Sequence, residues 1–144
     1  MIEYIQKNKC CIVLFIIVIF ILIFVIKNQV KEYYEQLDPI LIKIKENLKP
    51  LHPSVERLKF FEGKKSYTIN KKKVYLCLKD ENGDYYDYNM LMYVALHELS
   101  HVICDEIGHT PKFHRIFDQV LKQASDMGIY DPSIPIIKNY CGHN

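Results

Sequence analysis

The sequence contains two histidines and a glutamate whose types and spacing suit metal-assisted chemistry, in the run His97-Glu98-Leu99-Ser100-His101. Histidines four positions apart project from the same face of a helix, so both imidazoles can bind one Zn²⁺ ion. Glu98 stands beside the first histidine, where its carboxylate can take a proton from an attacking water. This spacing predicts a zinc site with Glu98 as the catalytic base of peptide hydrolysis.

A catalytic zinc needs a third protein ligand and an open fourth position. The candidates that follow the motif are Asp105, Glu106, His109 and His114. One extended form of the motif places a histidine six residues after the second ligand, but Ile107 occupies that position. Another form takes a glutamate from a later helix, where this chain has only Asp118 and Asp126 as acids.

Of the remaining candidates, His109 is the predicted third ligand. Gly108 precedes it and can turn the chain back toward the metal. Thr110 follows it as a helix cap and holds its backbone. His114 remains the alternative, either as a ligand or as a hydrogen-bond donor to substrate, and it is otherwise an exposed helix residue.

Two predicted helices position these residues. The first begins at a cap on Asp87 or Asn89 and continues to about Glu106, so it contains the motif. The second begins at the cap and proline Thr110-Pro111, carries an apolar stripe with spacings of three and four, and closes at Gly128.

The preceding region predicts a small antiparallel sheet and short helices. Residues 67–69 and 74–78 have high β propensity, and residues 85–86 are a possible third strand. Residues 74–78 are expected to supply the edge that aligns an extended substrate. Asp38-Pro39 predicts a helix start, and Ser54 is expected to cap a short helix over residues 55–62.

Residues 10–26 form a continuous apolar run without charge, Gly or Pro. As a helix this run is roughly 25 Å long, close to a ~30 Å hydrocarbon core once flanking lysines snorkel. A single transmembrane helix is favoured over a cleaved signal peptide or a core helix, and flanking charges leave its orientation open. The predicted organisation is a short segment 1–9, a transmembrane helix 10–26, a juxtamembrane helical region 27–63 and a metallopeptidase core 64–144.

Charge and cysteine content set further bounds. The net charge of the 144 residues is +2, which does not indicate a nucleic-acid partner, although five lysines cluster within residues 64–73. Of the five cysteines, the odd set Cys77, Cys104 and Cys141 falls in the core region, so no disulfide framework is expected.

The motif together with Gly108-His109 and Phe113 resembles the core of the WLM and SprT-like zincin metallopeptidases, in particular small metallopeptidases of this type from large DNA viruses. The family pattern is HExxH, a short connection, then a His followed four residues later by Phe. The resemblance covers less than half of the chain. It implies an α+β zincin-like fold, one catalytic Zn²⁺ held by His97, His101 and His109, and protein substrates.

The sequence therefore predicts a membrane-anchored zinc metallopeptidase, with a protein or peptide as substrate and the membrane as the partner of residues 10–26. The alternative is a membrane-anchored interaction protein in which zinc is structural or absent. The two differ at Glu98, which a structural site does not need. A nucleic-acid-associated protease is a third possibility, which rests on the lysine cluster alone.

Overall fold

The chain begins with one long helix that forms a unit of its own. The computed structural model describes residues 2–35 and 38–142, in two units divided after Glu35. The first unit is helix α1 (Ile2–Glu35). Its apolar part, Cys11–Tyr33, has 23 residues and reaches about 34 Å, which exceeds a ~30 Å hydrocarbon core. The helix is therefore long and apolar enough to cross a membrane, a test that an N-terminal signal sequence also passes.

The second unit combines helices with a small sheet, so its class is α+β as predicted. Over residues 38–142 the elements are α2 (Pro39–Leu48), a 3-10 helix (Pro53–Arg57), β1 (Lys59–Glu62), β2 (Tyr67–Ile69), β3 (Lys73–Leu76), α3 (Tyr88–Ile103), α4 (Pro111–Asp126) and a second 3-10 helix (Tyr140–Gly142).

Polar caps begin the three helices of this unit at the predicted places. The side chains of Asp38, Asp87 and Thr110 accept hydrogen bonds from backbone N–H groups two or three residues further on, at 2.8, 2.8 and 3.3 Å. Pro39 and Pro111 occupy the first turn of α2 and α4, where a missing N–H costs nothing. These local contacts explain why the helix starts could be located from sequence.

The end of α3 differs from the prediction. The helix stops at Ile103 rather than near Glu106, because Cys104 takes an extended conformation with φ −68° and ψ 130°. Cys104 is fully buried, and its carbonyl accepts a hydrogen bond from the Lys71 ammonium. The seven residues from Cys104 to Thr110 therefore form a loop rather than a last helical turn.

The sheet is mixed, not antiparallel as predicted. The strand order is β1-β3-β2, with β1 parallel and β2 antiparallel to β3. The central strand is β3, so the expectation that residues 74–78 form an edge is wrong, and β2 is an edge strand instead. The proposed third strand at residues 85–86 is reduced to a single bridge between Lys79 and Tyr85.

The predicted helix over residues 55–62 is also wrong. His52 rather than Ser54 caps the 3-10 helix, through a hydrogen bond from the Ser54 N–H, and β1 follows two residues after that helix ends. In β1 the side chain of Phe60 enters the core, whereas Phe61 stacks on Tyr75 with ring centroids 5.0 Å apart. Adjacent aromatic side chains that pack on opposite faces suit a pleated strand, not a helix.

Helix α3 is the central element of the core. Ten of its 16 residues are buried, and it contacts the sheet, α2 and α4. The buried polar residues of the described chain, Glu98 and Ser100, both lie on it. Ser100 satisfies its hydroxyl within the helix by donating to the Leu96 carbonyl at 2.8 Å. The buried carboxylate of Glu98 instead has a hydrogen-bond partner outside the helix, the hydroxyl of Thr68, which holds it in one position.

A disulfide joins Cys77, just after β3, to Cys141 in the last 3-10 helix. The expectation that the odd cysteine count excludes a disulfide framework is therefore wrong, and Cys104 is left as a buried thiol. The crosslinked residues are 64 positions apart, so the bond closes most of the second unit into one covalent loop.

Removing this bond should destabilise the domain markedly. Loop-closure entropy for a separation of 64 residues corresponds to about 4 kcal/mol of unfolding free energy. We expect Cys141→Ser to lower the denaturation midpoint, followed by tyrosine fluorescence in urea. A thiol-free reductant such as a phosphine should lower the denaturation midpoint of the unmodified protein by a similar amount. It should leave the midpoint of the variant unchanged. Equal midpoints in all samples would show that the bond contributes nothing.

Candidate metal centre

Three histidine side chains meet at one point on the surface of the second unit. The Nε2 atom of His101 lies 3.2 Å from that of His97 and 3.2 Å from that of His109, and the third separation is 3.0 Å. His97 and His101 come from adjacent turns of α3, and His109 from the loop that follows. The three residues named as ligands from sequence are therefore close enough to hold a metal ion.

The spacing of these nitrogens fits a bound cation. Ligand nitrogens at about 2.0–2.1 Å from a tetrahedral ion lie roughly 3.3 Å from one another. A ring nitrogen of a neutral imidazole either donates or accepts a hydrogen bond, so three mutual contacts cannot all be hydrogen bonds. A cation resolves this conflict because each Nε2 can direct its lone pair toward the ion. The arrangement is thus suited to metal binding.

Phe113 forms an aromatic floor beneath the three histidines. It is completely buried, and its ring centroid lies 4.2, 5.0 and 4.9 Å from those of His101, His97 and His109. Phe117 adds an edge contact to His97 at 5.1 Å. Since α4 supplies both phenylalanines, packing of α4 against α3 restricts the rotation of the histidine rings.

The loop from Cys104 to Thr110 brings His109 to the other two histidines. Gly108 has φ +84°, a left-handed conformation that glycine adopts without strain, and it turns the chain immediately before His109. Thr110, the residue after His109, then caps α4 and so fixes the backbone next to His109. Gly108, His109 and Thr110, the pattern that predicts His109 as third ligand, therefore form a local turn in the structure.

The environment keeps the imidazoles of His97 and His101 neutral. Burial, followed by the proximity of the other histidines, lowers the pKa of His97 from 6.5 to about 4. Burial, followed by the proximity of His109, also lowers the pKa of His101. A metal ion binds the neutral form of imidazole, so both residues are in their ligand form at neutral pH.

Glu98 is held by a residue that the sequence did not single out. The hydroxyl of Thr68, on β2, donates to Oε2 of Glu98 at 2.7 Å. Burial raises the pKa of the Glu98 carboxyl, and the hydrogen bond from Thr68 opposes that shift. The two residues are 30 positions apart and no local pattern links them, so this contact becomes visible only when β2 is placed over α3.

An open cleft surrounds the histidines and Glu98. It has a volume of about 560 Å³. The edge strand contributes Tyr67 and Thr68 to its lining, and the loop contributes Glu106, Ile107 and Gly108. The cleft therefore joins the three histidines to the edge of the sheet, so an extended chain bound along β2 would reach the histidines.

The other ligand candidates lie outside the cluster. His114 is exposed on the first turn of α4, with its ring centroid 6.3 Å from that of His109. The carboxylate of Asp105 forms an ion pair with Lys112 at 2.6 Å, which links the loop to α4. Glu106 is exposed and lines the cleft without joining the three histidines.

Two tyrosines of the second unit, Tyr130 and Tyr140, lie outside the cleft. The hydroxyl of Tyr140 donates to the Cys77 carbonyl and lies 3.0 Å from Oγ of Ser66. Burial raises the pKa of Tyr140 to about 12. Tyr130 packs near Tyr93, with ring centroids 6.1 Å apart. Neither tyrosine is among the residues that line the cleft.

Comparison with known proteins identifies viral relatives. The chain is 56% identical over 87 residues to the uncharacterized protein 136R of Invertebrate iridescent virus 6, covering 58% of this chain and 49% of the relative. It is 51% identical over 85 residues to the uncharacterized protein 042R of Invertebrate iridescent virus 3, covering 58% and 54%.

A third relative comes from a different virus. The uncharacterized protein R325 of Acanthamoeba polyphaga mimivirus is 41% identical over 86 residues, covering 54% of this chain and 41% of the relative. The chain thus spans about half the length of the curated relatives it matches. No family model and no solved structure matches the chain.

Proposed function

We propose that this protein is a zinc metallopeptidase that hydrolyses peptide bonds in protein substrates and is anchored to a membrane by α1. The observation that carries the proposal is the convergence of three histidine Nε2 atoms beside the buried carboxylate of Glu98. The resemblance of the motif to the WLM and SprT-like zincins supports the proposal and implies a zincin-like fold. Membrane anchoring rests on the length and composition of Cys11–Tyr33.

The donor set favours zinc. His97, His101 and His109 would hold the ion, and a set of three protein ligands with an open position is typical of catalytic rather than structural zinc. Imidazole is a common ligand of Zn²⁺. When bound, zinc supplies Lewis acidity that makes a water molecule more acidic and polarises the carbonyl of the substrate.

Glu98 is the proposed general base. Its carboxylate takes a proton from water as the water oxygen adds to the carbonyl carbon of the substrate. When the C–N bond breaks, the same proton passes from Glu98 to the leaving amine. The hydrogen bond from Thr68 holds the carboxylate in place for both transfers. Burial favours this chemistry because it raises the pKa of Glu98 toward the operating pH.

Strand β2 is the proposed binding edge for an extended substrate. Within the described residues it pairs with β3 along one side, and Tyr67 and Thr68 line the cleft. An extended peptide can add to such an edge through backbone hydrogen bonds, which align the chain without reading its sequence. The strand that could align substrate is therefore β2, not the segment 74–78 favoured from sequence.

The proposal is tested by metal content and peptide cleavage. The 144-residue chain, purified in detergent, should contain one zinc per molecule by mass spectrometry and cleave fluorogenic peptides from a mixed library. A strong zinc chelator should abolish cleavage, and added Zn²⁺ should restore it. Stoichiometric zinc without cleavage of any peptide would favour the interaction protein with a structural metal. A chain that binds no zinc would overturn both the peptidase and the metal site.

A further inference from the structure

Ile107 is an unusually exposed apolar residue. Its side chain is 98% exposed, whereas the next most exposed large apolar side chain in the described part of the second unit, Met127, is 49% exposed. Isolated apolar residues are common on protein surfaces. An apolar side chain exposed on almost every side, next to a cluster of histidines that can hold a metal ion, is a different case and calls for a partner.

The backbone around Ile107 is fixed on both sides. At the start of the loop, the buried Cys104 donates from its N–H to the Ser100 carbonyl at 2.9 Å and accepts from Lys71. At the end of the loop, Thr110 caps α4. Exposure of Ile107 is therefore a consequence of a defined loop conformation, which holds this side chain away from the core.

The loop is also tied across its base. The ion pair between Asp105 and Lys112, at 2.6 Å, connects it to α4. Gly108, with φ +84°, turns the chain so that Ile107 and His109 lie on either side of a tight bend. The same geometry that delivers the third histidine to the cluster also determines where Ile107 is presented.

Ile107 is presented to the cleft. It lines the same cavity as His97, Glu98 and His109, and it stands two positions from the last of these along the chain. A molecule bound in the cleft next to the histidines can therefore cover Ile107. Within a peptidase, the molecule that occupies this space is the substrate.

We propose that Ile107 is a specificity-determining residue, which selects polypeptide substrates that carry a large apolar side chain next to the cleaved bond. This inference rests on the proposed peptidase function. A peptide bound along β2 would place side chains against the loop, and contact between an apolar side chain and Ile107 removes both from water. A polar or charged side chain would lose hydration there without gaining a partner.

Selectivity of this kind is measurable. Apolar contacts that differ by a small group typically change kcat/KM by about 10- to 200-fold. For two peptides that differ only by Leu or Ser at the selected position, we expect a preference of about tenfold or more for Leu. The Ile107→Ser variant should reduce this preference to about twofold, whereas Ile107→Leu should retain it. Zinc content per chain should be the same in all three proteins.

A matched control is available immediately after α4, at its C-cap residue. Met127 is exposed and apolar but does not line the cleft, so Met127→Ser should leave the preference unchanged. A second measurement avoids turnover altogether. Binding of the labelled Leu and Ser peptides to Glu98→Gln protein, with and without Ile107→Ser, should show the same loss of preference by fluorescence anisotropy.

The outcomes separate this inference from the proposed function. If the unmodified protein cleaves both peptides equally, or if Ile107→Ser keeps the preference, the role of Ile107 is overturned and the peptidase stands. Unchanged selectivity combined with weaker binding of Ile107→Ser to lipid vesicles would assign Ile107 to a membrane surface instead. If no peptide is cleaved but the apolar peptide binds in an Ile107-dependent manner, the peptidase fails and the apolar subsite remains. If neither cleavage nor binding occurs, both are rejected.

Discussion

Replacing Glu98 by glutamine should reduce peptide hydrolysis by about 10²- to 10⁴-fold without loss of the metal. Glutamine has the same size and can still accept the hydrogen bond that Thr68 donates at 2.7 Å, so the site should remain assembled. What glutamine cannot do is take a proton from water. The measurement is kcat/KM on a fluorogenic peptide, together with zinc content and the thermal unfolding midpoint of each protein.

Glu81→Gln is the matched control for this experiment. Glu81 is an exposed glutamate that does not line the cleft, so the same change there should leave kcat/KM unchanged. Residual activity of Glu98→Gln within about threefold of the unmodified protein would contradict the role of Glu98 as general base. A coincident loss of zinc would instead show that Glu98 helps to maintain the metal centre.

Replacing His109 by alanine should weaken zinc binding by on the order of several hundred-fold. A complete set of four protein ligands contributes about 10–16 kcal/mol to zinc binding, so one ligand corresponds to roughly 2.5–4 kcal/mol. Because His109 lies on an exposed loop and not in the core, its removal should affect the metal far more than the fold. Competition with a chromophoric chelator measures the dissociation constant directly.

His114→Ala tests the same assignment from the other side. The His114 ring lies outside the cluster, 6.3 Å from the His109 ring, so this variant should bind zinc as the unmodified protein does. Loss of zinc from His114→Ala and retention by His109→Ala would reverse the choice of third ligand. Loss from both would indicate that α4 must be intact at its first turn for the site to form.

Features encoded by neighbouring residues could be predicted from sequence. Asp38-Pro39 and Thr110-Pro111 form helix starts through hydrogen bonds that span two or three residues, so the signal and the structure share the same short segment. His97 and His101 share a helix face by their spacing alone. The prediction of His109 also used local information, since Gly108 provides a turn within one residue of it.

Features that depend on distant residues could not be predicted in this way. The strand character of β1 is determined by its parallel pairing with β3, in which Phe60 lies opposite Val74. Capping residues near Ser54 instead indicated a helix. The contact between Thr68 and Glu98 likewise requires strand β2 to be placed over α3. Neither residue alone indicates the other.

The cysteines also show that a contact between distant residues could not be predicted from sequence. An odd count in the core region indicated no disulfide framework, yet Cys77 and Cys141 are joined because the last 3-10 helix returns to the end of β3. The hydroxyl of Tyr140, one residue before Cys141, donates to the Cys77 carbonyl at the same place. Counting residues cannot reveal a meeting of segments 64 positions apart.

This disulfide has a practical consequence for samples of the protein. Glu98 and the three histidines all lie between Cys77 and Cys141, so a backbone cut anywhere between the two cysteines leaves fragments that stay covalently joined. Such nicking, including cleavage of one copy by another, would be invisible on a non-reducing gel and would appear as two bands after reduction. Electrophoresis under both conditions therefore distinguishes an intact chain from a nicked one.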